Sequence, residues 1–369
     1  MFYINESKES QKKYIDSLKI IGSLSNLFSD SSTPYLYYRI AEKIFCNSFK
    51  ADDLSRGDVA LDAYKQKMGI GLKTFLASNN KTFQKVAEFN KDRDLYENLN
   101  TKDTIAIVAK LRNKRIEFTQ NLYGIENSIY HCVVRDDNSF SLYEEKMDLI
   151  DLENIREISK KKNIIRFNDE LHEYSFNLSK STLTKRFITT KTITKFNVDI
   201  LLDPLEDIKK CLSENNNFTD NYKIKQSVYL PLYGNNKTVY SKSGLNQWNA
   251  SGRIRDDDEV YIPIPVAVHK KVVDFFPPRD TPFDLVLPNK KILKAKVCQE
   301  NSKALMSYSN KELGQWILRD VLGLKYGELL TYDKLREIGV DSVRIDKVDA
   351  LKYEINFSAL DSYENFIEN

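Results

Sequence analysis

From Ser213 to Asn221 the chain runs Ser-Glu-Asn-Asn-Asn-Phe-Thr-Asp-Asn, with one apolar residue in nine and neither a helical nor a strand period. A stretch like this has no face to lay against a core, so it is expected to be a linker or long loop. The 369 residues then fall into about 1–210, a linker over 211–225, and 226–369, each flank the size of a domain. A chain cut in this way must build two cores.

The two flanks carry different patterns. Pro34–Phe49 reads as a helix, with Thr33 suited to the N-cap, Pro34 to the first turn, and Tyr37, Ala41, Ile44 and Phe45 as its apolar stripe. Asp58–Tyr64 and Met68–Leu76 alternate on either side of Lys65-Gln66-Lys67, which predicts a hairpin. Lys81–Lys91 reads as a short helix. Ile129–Arg135, Ser139–Tyr143, Asn163–Phe167 and Glu173–Asn177 read as strands, so the first flank is a mixed α/β domain. Beyond the linker strands dominate, at Val228–Leu232, Val260–Ile264, Phe283–Leu287, Ile292–Val297, Val343–Val348 and Tyr353–Phe357, with helices at Val266–Phe275 and Lys311–Leu322.

Composition narrows the class. There are 56 Lys+Arg against 53 Asp+Glu. The resulting net charge of +3 does not decide for or against nucleic acid, because what matters is whether cations cluster on one surface. No run approaches the roughly 18 apolar residues of a membrane-spanning helix, and the opening MFYINESKESQKKY lacks the apolar core of a secretory signal. Cys46, Cys132, Cys211 and Cys298 lie far apart without a Cys-x-x-Cys pair, which argues against a disulfide scaffold and a zinc ribbon. The chain reads as a globular protein of a reducing compartment, the cytoplasm, with no membrane partner.

Chemistry is concentrated in the hairpin, Arg56-Gly57-Asp58-Val59-Ala60-Leu61-Asp62-Ala63-Tyr64 and then Met68-Gly69-Ile70-Gly71-Leu72-Lys73-Thr74-Phe75. Asp58 and Asp62 share a face of the first strand; Gly69, Gly71 and Lys73 share a face of the second. With Gln66-Lys67 as a two-residue turn, Asp62 lies opposite Gly71 and diagonal to Lys73. A carboxylate able to hold a divalent cation and an ammonium able to orient a nucleophile then project from one side, as hydrolysis of a phosphodiester requires. Four residues of strand put the two aspartates about 13 Å apart, too far to share one ion. Asp62 is preferred. Asp58 stays as the alternate, because a one-residue change of register decides which is nearest Lys73.

This arrangement resembles the PD-(D/E)XK nuclease core, with one departure: two residues before Lys73, where that pattern has Asp or Glu, stands Gly71. The resemblance implies a Mg2+-dependent nuclease whose second acid comes from elsewhere. Glu88, in Thr82-Phe83-Gln84-Lys85-Val86-Ala87-Glu88-Phe89-Asn90 and read as lying on the following helix, is one candidate. Glu42, in Tyr38-Arg39-Ile40-Ala41-Glu42 on the preceding helix, is the other. Those segments, with Leu54-Ser55-Arg56-Gly57-Asp58, Ile129-Tyr130-His131-Cys132-Val133-Val134-Arg135 and Tyr174-Ser175-Phe176-Asn177-Leu178-Ser179-Lys180-Ser181-Thr182-Leu183, resemble a bacterial type II restriction endonuclease family across most of residues 34–190.

The second flank resembles the B3-like DNA-recognition domain at the C-terminus of NgoFVII-type restriction enzymes. The resemblance rests on Ser241-Lys242-Ser243-Gly244-Leu245-Asn246-Gln247-Trp248-Asn249-Ala250-Ser251-Gly252-Arg253, Glu259-Val260-Tyr261-Ile262-Pro263-Ile264-Pro265 and Lys296-Val297-Cys298-Gln299-Glu300-Asn301-Ser302-Lys303-Ala304-Leu305. Such domains are pseudobarrels that grip the major groove with two arms. The resemblance implies one arm carrying Ser243, Asn246, Gln247, Trp248, Asn249, Arg253 and Arg255, and a second carrying Lys296, Gln299, Asn301 and Lys303. Asn and Gln suit adenine there, Arg and Lys guanine. In the first flank Lys180, Lys185 and Arg186 suit contact with phosphate. NgoFVII-type enzymes themselves carry a phospholipase-D-like nuclease with an HxK, four residues, then Asp. His269-Lys270-Lys271 does not complete that pattern, because Phe276 stands in the last place.

Plainer readings stand beside these. His131 alternates with Ile129 and Val133 and reads as a core histidine; Trp248 is as well suited to plugging a barrel as to touching DNA; Lys160-Lys161-Lys162 reads as solvated loop. Taken together, the resemblances imply an α/β (α+β) nuclease core followed by a mostly β pseudobarrel. They point to a bacterial type II restriction endonuclease that cuts double-stranded DNA with Mg2+, with a cognate methyltransferase as genetic partner and homodimerisation left open. The rival reading is a sequence-specific DNA-binding protein that does not cut, in which Gly71 marks a decayed site.

Overall fold

The computed structural model describes every residue except Arg56, Asp58, 215–225 and Asn369, and of 211–214 the backbone alone. The chain divides into two compact units, one of Met1–Ile116 with Ile125–Tyr222, the other of Glu117–Gly124 with Lys223–Asn369.

The described strands of the first unit are β1 (Asp52–Asp53), β2 (Ala63–Lys65), β3 (Met68–Leu76), β4 (Lys81–Glu88), β5 (Asn127–Asp136) and β6 (Ser139–Lys146). They continue with β7 (Arg156–Lys161), β8 (Ile164–Asn168), β9 (Glu173–Asn177), β10 (Thr182–Ile188) and β11 (Thr194–Asn197). One sheet has the order β1-β2-β3-β5-β6-β11 and a second the order β4-β10-β9-β8-β7. Within the first, β3 and β5 are parallel, Ile70 beside Ile129 and Lys73 beside Cys132. Parallel neighbours need a crossover; here it runs through β4 and the helix Thr101–Tyr123.

Two helices, α1 (Lys8–Ser23) and α2 (Tyr38–Phe49), cover one face of that sheet. Tyr14 and Leu18 of α1, Phe45 and Phe49 of α2, and Ile70, Leu72, Val133, Phe140 and Leu142 of the strands form one buried cluster. Each large side chain removed from water there stabilises by about 1.5–3 kcal/mol. His131 sits inside this cluster, as its alternation suggests, with Nδ1 2.8 Å from Glu144 Oε1 and Nε2 3.0 Å from Tyr14 Oη. The second sheet packs Ile165, Phe167, Tyr174, Phe176 and Leu183 against Ile105 and Val108 of the crossover helix.

Three local expectations are corrected. The helix of 34–49 begins at Tyr38, after an extended Tyr37; the Tyr35 N–H is held instead by Ser25 Oγ at 2.7 Å. Residues 81–88 are strand β4 rather than helix, because the edge of β10 offers a ladder in which Phe83 pairs with Arg186 and Gln84 with Lys185. The first hairpin strand is short, since the chain joins the ladder only at Ala63.

In the second unit β12 (Ser227–Pro231), β13 (Ile262–Pro263), β14 (Phe283–Val286), β15 (Ile292–Cys298), β16 (Ala304–Ser307), β17 (Val340–Asp349) and β18 (Lys352–Ala359) form one sheet. Its order is β12-β17-β18-β14-β15-β16-β13, and β12 approaches β13 again, so the sheet is a nearly closed barrel. Val228, Leu230, Leu285, Val297, Leu305, Val343 and Ile355 are buried in it. The predicted helix over 311–322 is a turn of α-helix followed by a π-helix, Gln315–Val321. A Cβ at Gly314 would lie 1.9 Å from the Asp258 carbonyl oxygen, so only glycine allows this close approach.

Candidate active site and nucleic-acid interface

The turn between β2 and β3 has positive φ at both Gln66 (47°) and Lys67 (66°), the conformation a two-residue hairpin demands. Ala63 therefore pairs with Ile70, and Asp62 falls opposite Gly71, its N–H donating to the Ile70 carbonyl at 2.9 Å. Beyond this point the Asp62 side chain continues the ladder in place of backbone. Oδ2 accepts the Leu72 N–H at 2.7 Å and lies 3.8 Å from Lys73 Nζ. Asp62 and Lys73 are each about three-quarters buried.

Glu42 joins them from α2. Its carboxylate is buried and accepts from Arg39 Nη1 at 3.1 Å, and the same Nη1 donates to the Ser55 carbonyl at 2.6 Å. Burial, and next the negative charge of Asp62, hold the Glu42 carboxyl above its usual range, despite Arg39. Two carboxylates near enough to act on each other, one of them 3.8 Å from an ammonium, thus stand beside the point where β2 joins β3.

Gly71 explains the departure from the nuclease pattern. A Cβ there would sit 2.5 Å from Met147 Cε and 3.1 Å from the Tyr130 ring, so any larger side chain requires the Met147 end and the Tyr130 ring to shift. Glu88, expected on a helix, ends strand β4 in the other sheet, where Lys85 Nζ and Asn90 Nδ2 bond its carboxylate. Asp58 lies outside the described residues. The residues present suit a hard cation. Asp62 Oδ1 and Glu42 Oε1 have no protein partner among the described residues, and a divalent ion would offset the repulsion that opposes ionisation of Glu42.

Another carboxylate group, Asp341, Asp361 and Glu364 in the second unit, already holds a cation of its own: Lys237 Nζ bonds Asp361 and lies 3.9 Å from Asp341.

Of the cations expected to touch phosphate from the first unit, Lys180 is exposed. Arg186 forks onto Glu173, with Nε at 2.7 Å and Nη2 at 2.9 Å, and stacks 4.5 Å over the Phe83 ring. Lys185 does not serve that role. Strand alternation puts it inward with Leu183 and Phe187, where it is 1% exposed and paired with Glu145.

In the second unit the first arm leads into β13 and the second into β16, and these strands pair, Ile262 with Leu305 and Pro263 with Ala304. One ladder therefore anchors both arms. Asn246 is a brace rather than a reader: it is buried, Nδ2 donates to the Tyr240 and Leu330 carbonyls, and Oδ1 accepts the Leu330 N–H at 3.0 Å. Arg255 Nη1 likewise spans the Ala250, Ser251 and Arg253 carbonyls. Ser243 and Trp248 are half-buried, while Asn249 is exposed with Nδ2 on the Ser241 carbonyl. Gln247 and Arg253 both reach Glu259, a buried acid whose role the sequence reading missed. On the second arm Gln299, Asn301 and Lys303 are exposed, and Lys296 lies 3.5 Å from the Asp280 carboxylate.

Residues 220–349 match the family model of the NgoFVII C-terminal B3-like DNA-binding domain. The match takes in both arms and the strands from β12 to β17, in keeping with the nearly closed barrel. No curated protein matches the chain. Among the described residues no helix is long and apolar enough to cross a membrane.

Proposed function

We propose that the protein is a type II restriction endonuclease, in which the NgoFVII-like domain reads double-stranded DNA and the first unit cuts it with Mg2+. The observation that carries this reading is the pairing of Asp62 with Lys73, with Glu42 near enough to feel the Asp62 charge, on a sheet whose neighbouring β3 and β5 run parallel. Asp62 and Glu42 would hold the ion, with Glu42 preferred to Glu88 as the second acid. A bound Mg2+ would polarise the scissile phosphate and lower the pKa of a bound water. The Lys73 ammonium, already beside Asp62, would orient that water and stabilise charge on the phosphate. Leu72 N–H fixes the Asp62 carboxylate beforehand, so little reorganisation is needed on binding. A methyltransferase of the same specificity is the host partner such an enzyme needs.

The rival, a protein that binds without cutting, draws on Gly71. Gly71 alone does not carry that inference, since Met147 and Tyr130 pack into the space a side chain there would take. Incubating a plasmid of known sequence with the protein in Mg2+ and in EDTA decides between them. Discrete fragments with common ends, formed in Mg2+ alone, are expected; specific binding with an intact plasmid in Mg2+ would favour the rival.

A further inference from the structure

The contacts of Glu259 say which base the first arm reads. Resting on the reading of the second unit as a sequence-specific DNA-binding domain, we propose that Glu259 and Arg253 form a fixed guanine reader, so that the recognition sequence contains a guanine contacted at O6 and N7.

Glu259 is 4% exposed. Its Oε2 accepts Arg253 Nη1 at 3.0 Å, and its Oε1 accepts Arg253 Nη2 together with Gln247 Nε2 at 2.9 Å. Arg255 Nε lies 3.8 Å from the same Oε1. The Arg253 guanidinium therefore meets the carboxylate end on, through both terminal nitrogens. The second hydrogen of Nη1 goes to the Ile254 carbonyl at 3.2 Å. Among the described residues two N–H groups have no partner, on Nε and on the outer side of Nη2. They are parallel and lie along one edge of a side chain that is 56% exposed.

Guanine presents two adjacent acceptors in the major groove, O6 and N7, and that pair of donors fits them. Adenine presents an acceptor beside a donor, which an arginine edge, all donors, cannot satisfy. Because the fork is held before DNA arrives, less side-chain freedom is lost on binding. The carboxylate also offsets the arginine charge, which limits attraction to phosphate of any sequence. Glu259 is thus a positioning residue and Arg253 the group that touches the base.

The test uses the full chain in Ca2+. A duplex is first selected by the wild-type protein from a randomised pool, and a shuffled duplex of the same composition serves as control. Each guanine of the selected duplex is then replaced singly by 7-deazaguanine, which keeps base pairing but lacks the N7 acceptor. At one guanine the wild type should lose tenfold or more in affinity. In Arg253→Met that loss should vanish to within twofold. In Glu259→Gln it should shrink while affinity for the shuffled duplex holds or rises; a merely structural role would weaken both duplexes alike. A selected site without guanine, or a 7-deazaguanine loss undiminished in Arg253→Met, overturns the proposal. If Glu259→Gln does not fold, as judged by its thermal melt, Arg253→Met decides alone, since its side chain is largely exposed. A wild type that selects nothing and does not distinguish the duplexes would instead overturn the underlying reading of the domain.

Discussion

Glu42 is buried beside a second carboxylate, an arrangement that costs the fold stability in the absence of a cation. Its carboxyl is raised in the folded state by burial and by Asp62, so the folded protein binds that proton more tightly than the unfolded chain does. The destabilisation is absent below the unfolded value of about 4.3 and complete above the folded one. In EDTA, Glu42→Gln should therefore melt higher than wild type at pH 8, with the gain shrinking as the pH falls towards 4. An unchanged or lower Tm at pH 8 would show that Arg39 alone balances the charge. Gly71→Ala should cost about 1–3 kcal/mol by overpacking against Met147 and Tyr130, read as a shift in the urea midpoint. Met147→Ala in the same chain should recover part of that loss, because the Met147 methyl is the nearest obstacle. At this scale the site was half legible. Alternation and turn length put Asp62 opposite Gly71 and near Lys73, whereas Lys185, Asn246 and Glu259 are polar groups inside a core or loop, and no hydrophobic period reports them.

Elements were legible where one face of a strand is buried and the other wet. Glu173–Asn177 alternates in burial as the sequence alternates in polarity, and its predicted limits coincide with β9. Residues 81–88 misled because Phe83, Val86 and Ala87 also fit a helical spacing; pairing with β10, remote in sequence, outweighs local propensity. The helix Thr101–Tyr123 went unread, since Lys and Arg are spread around it and Arg112 points inward, to the Asp148 carbonyl and the Tyr130 hydroxyl. The hairpin turn also offers a test. Lys67 holds φ at +66° at a position that favours glycine. Lys67→Gly should stabilise by up to about 1 kcal/mol, seen as a higher Tm, and leave any DNA cleavage unchanged. A lower Tm would mean that the pair of Lys67 with Glu126 outweighs the backbone.

At the scale of the whole molecule, the strand-rich second flank foretold a barrel-like sheet. Of the linker expected over 211–225, residues up to Glu214 continue the helix Pro204–Glu214 and the rest lie outside the described residues, while Glu117–Gly124, expected with the first domain, belong to the second unit. DNA binding by the full chain should weaken on the order of 10³-fold or more between 50 and 200 mM salt if six or more phosphates are contacted; a flat salt response would remove phosphate from the interface. The measurement that bears most directly on the central claim separates cutting from reading. Wild type, Asp62→Ala and Lys73→Ala are compared for binding to the selected duplex in Ca2+ and for cleavage of it in Mg2+. All three should bind within a few-fold of one another, and wild type alone should cut. Cleavage by Lys73→Ala at the wild-type rate would contradict the placement of the active site at Asp62, Lys73 and Glu42.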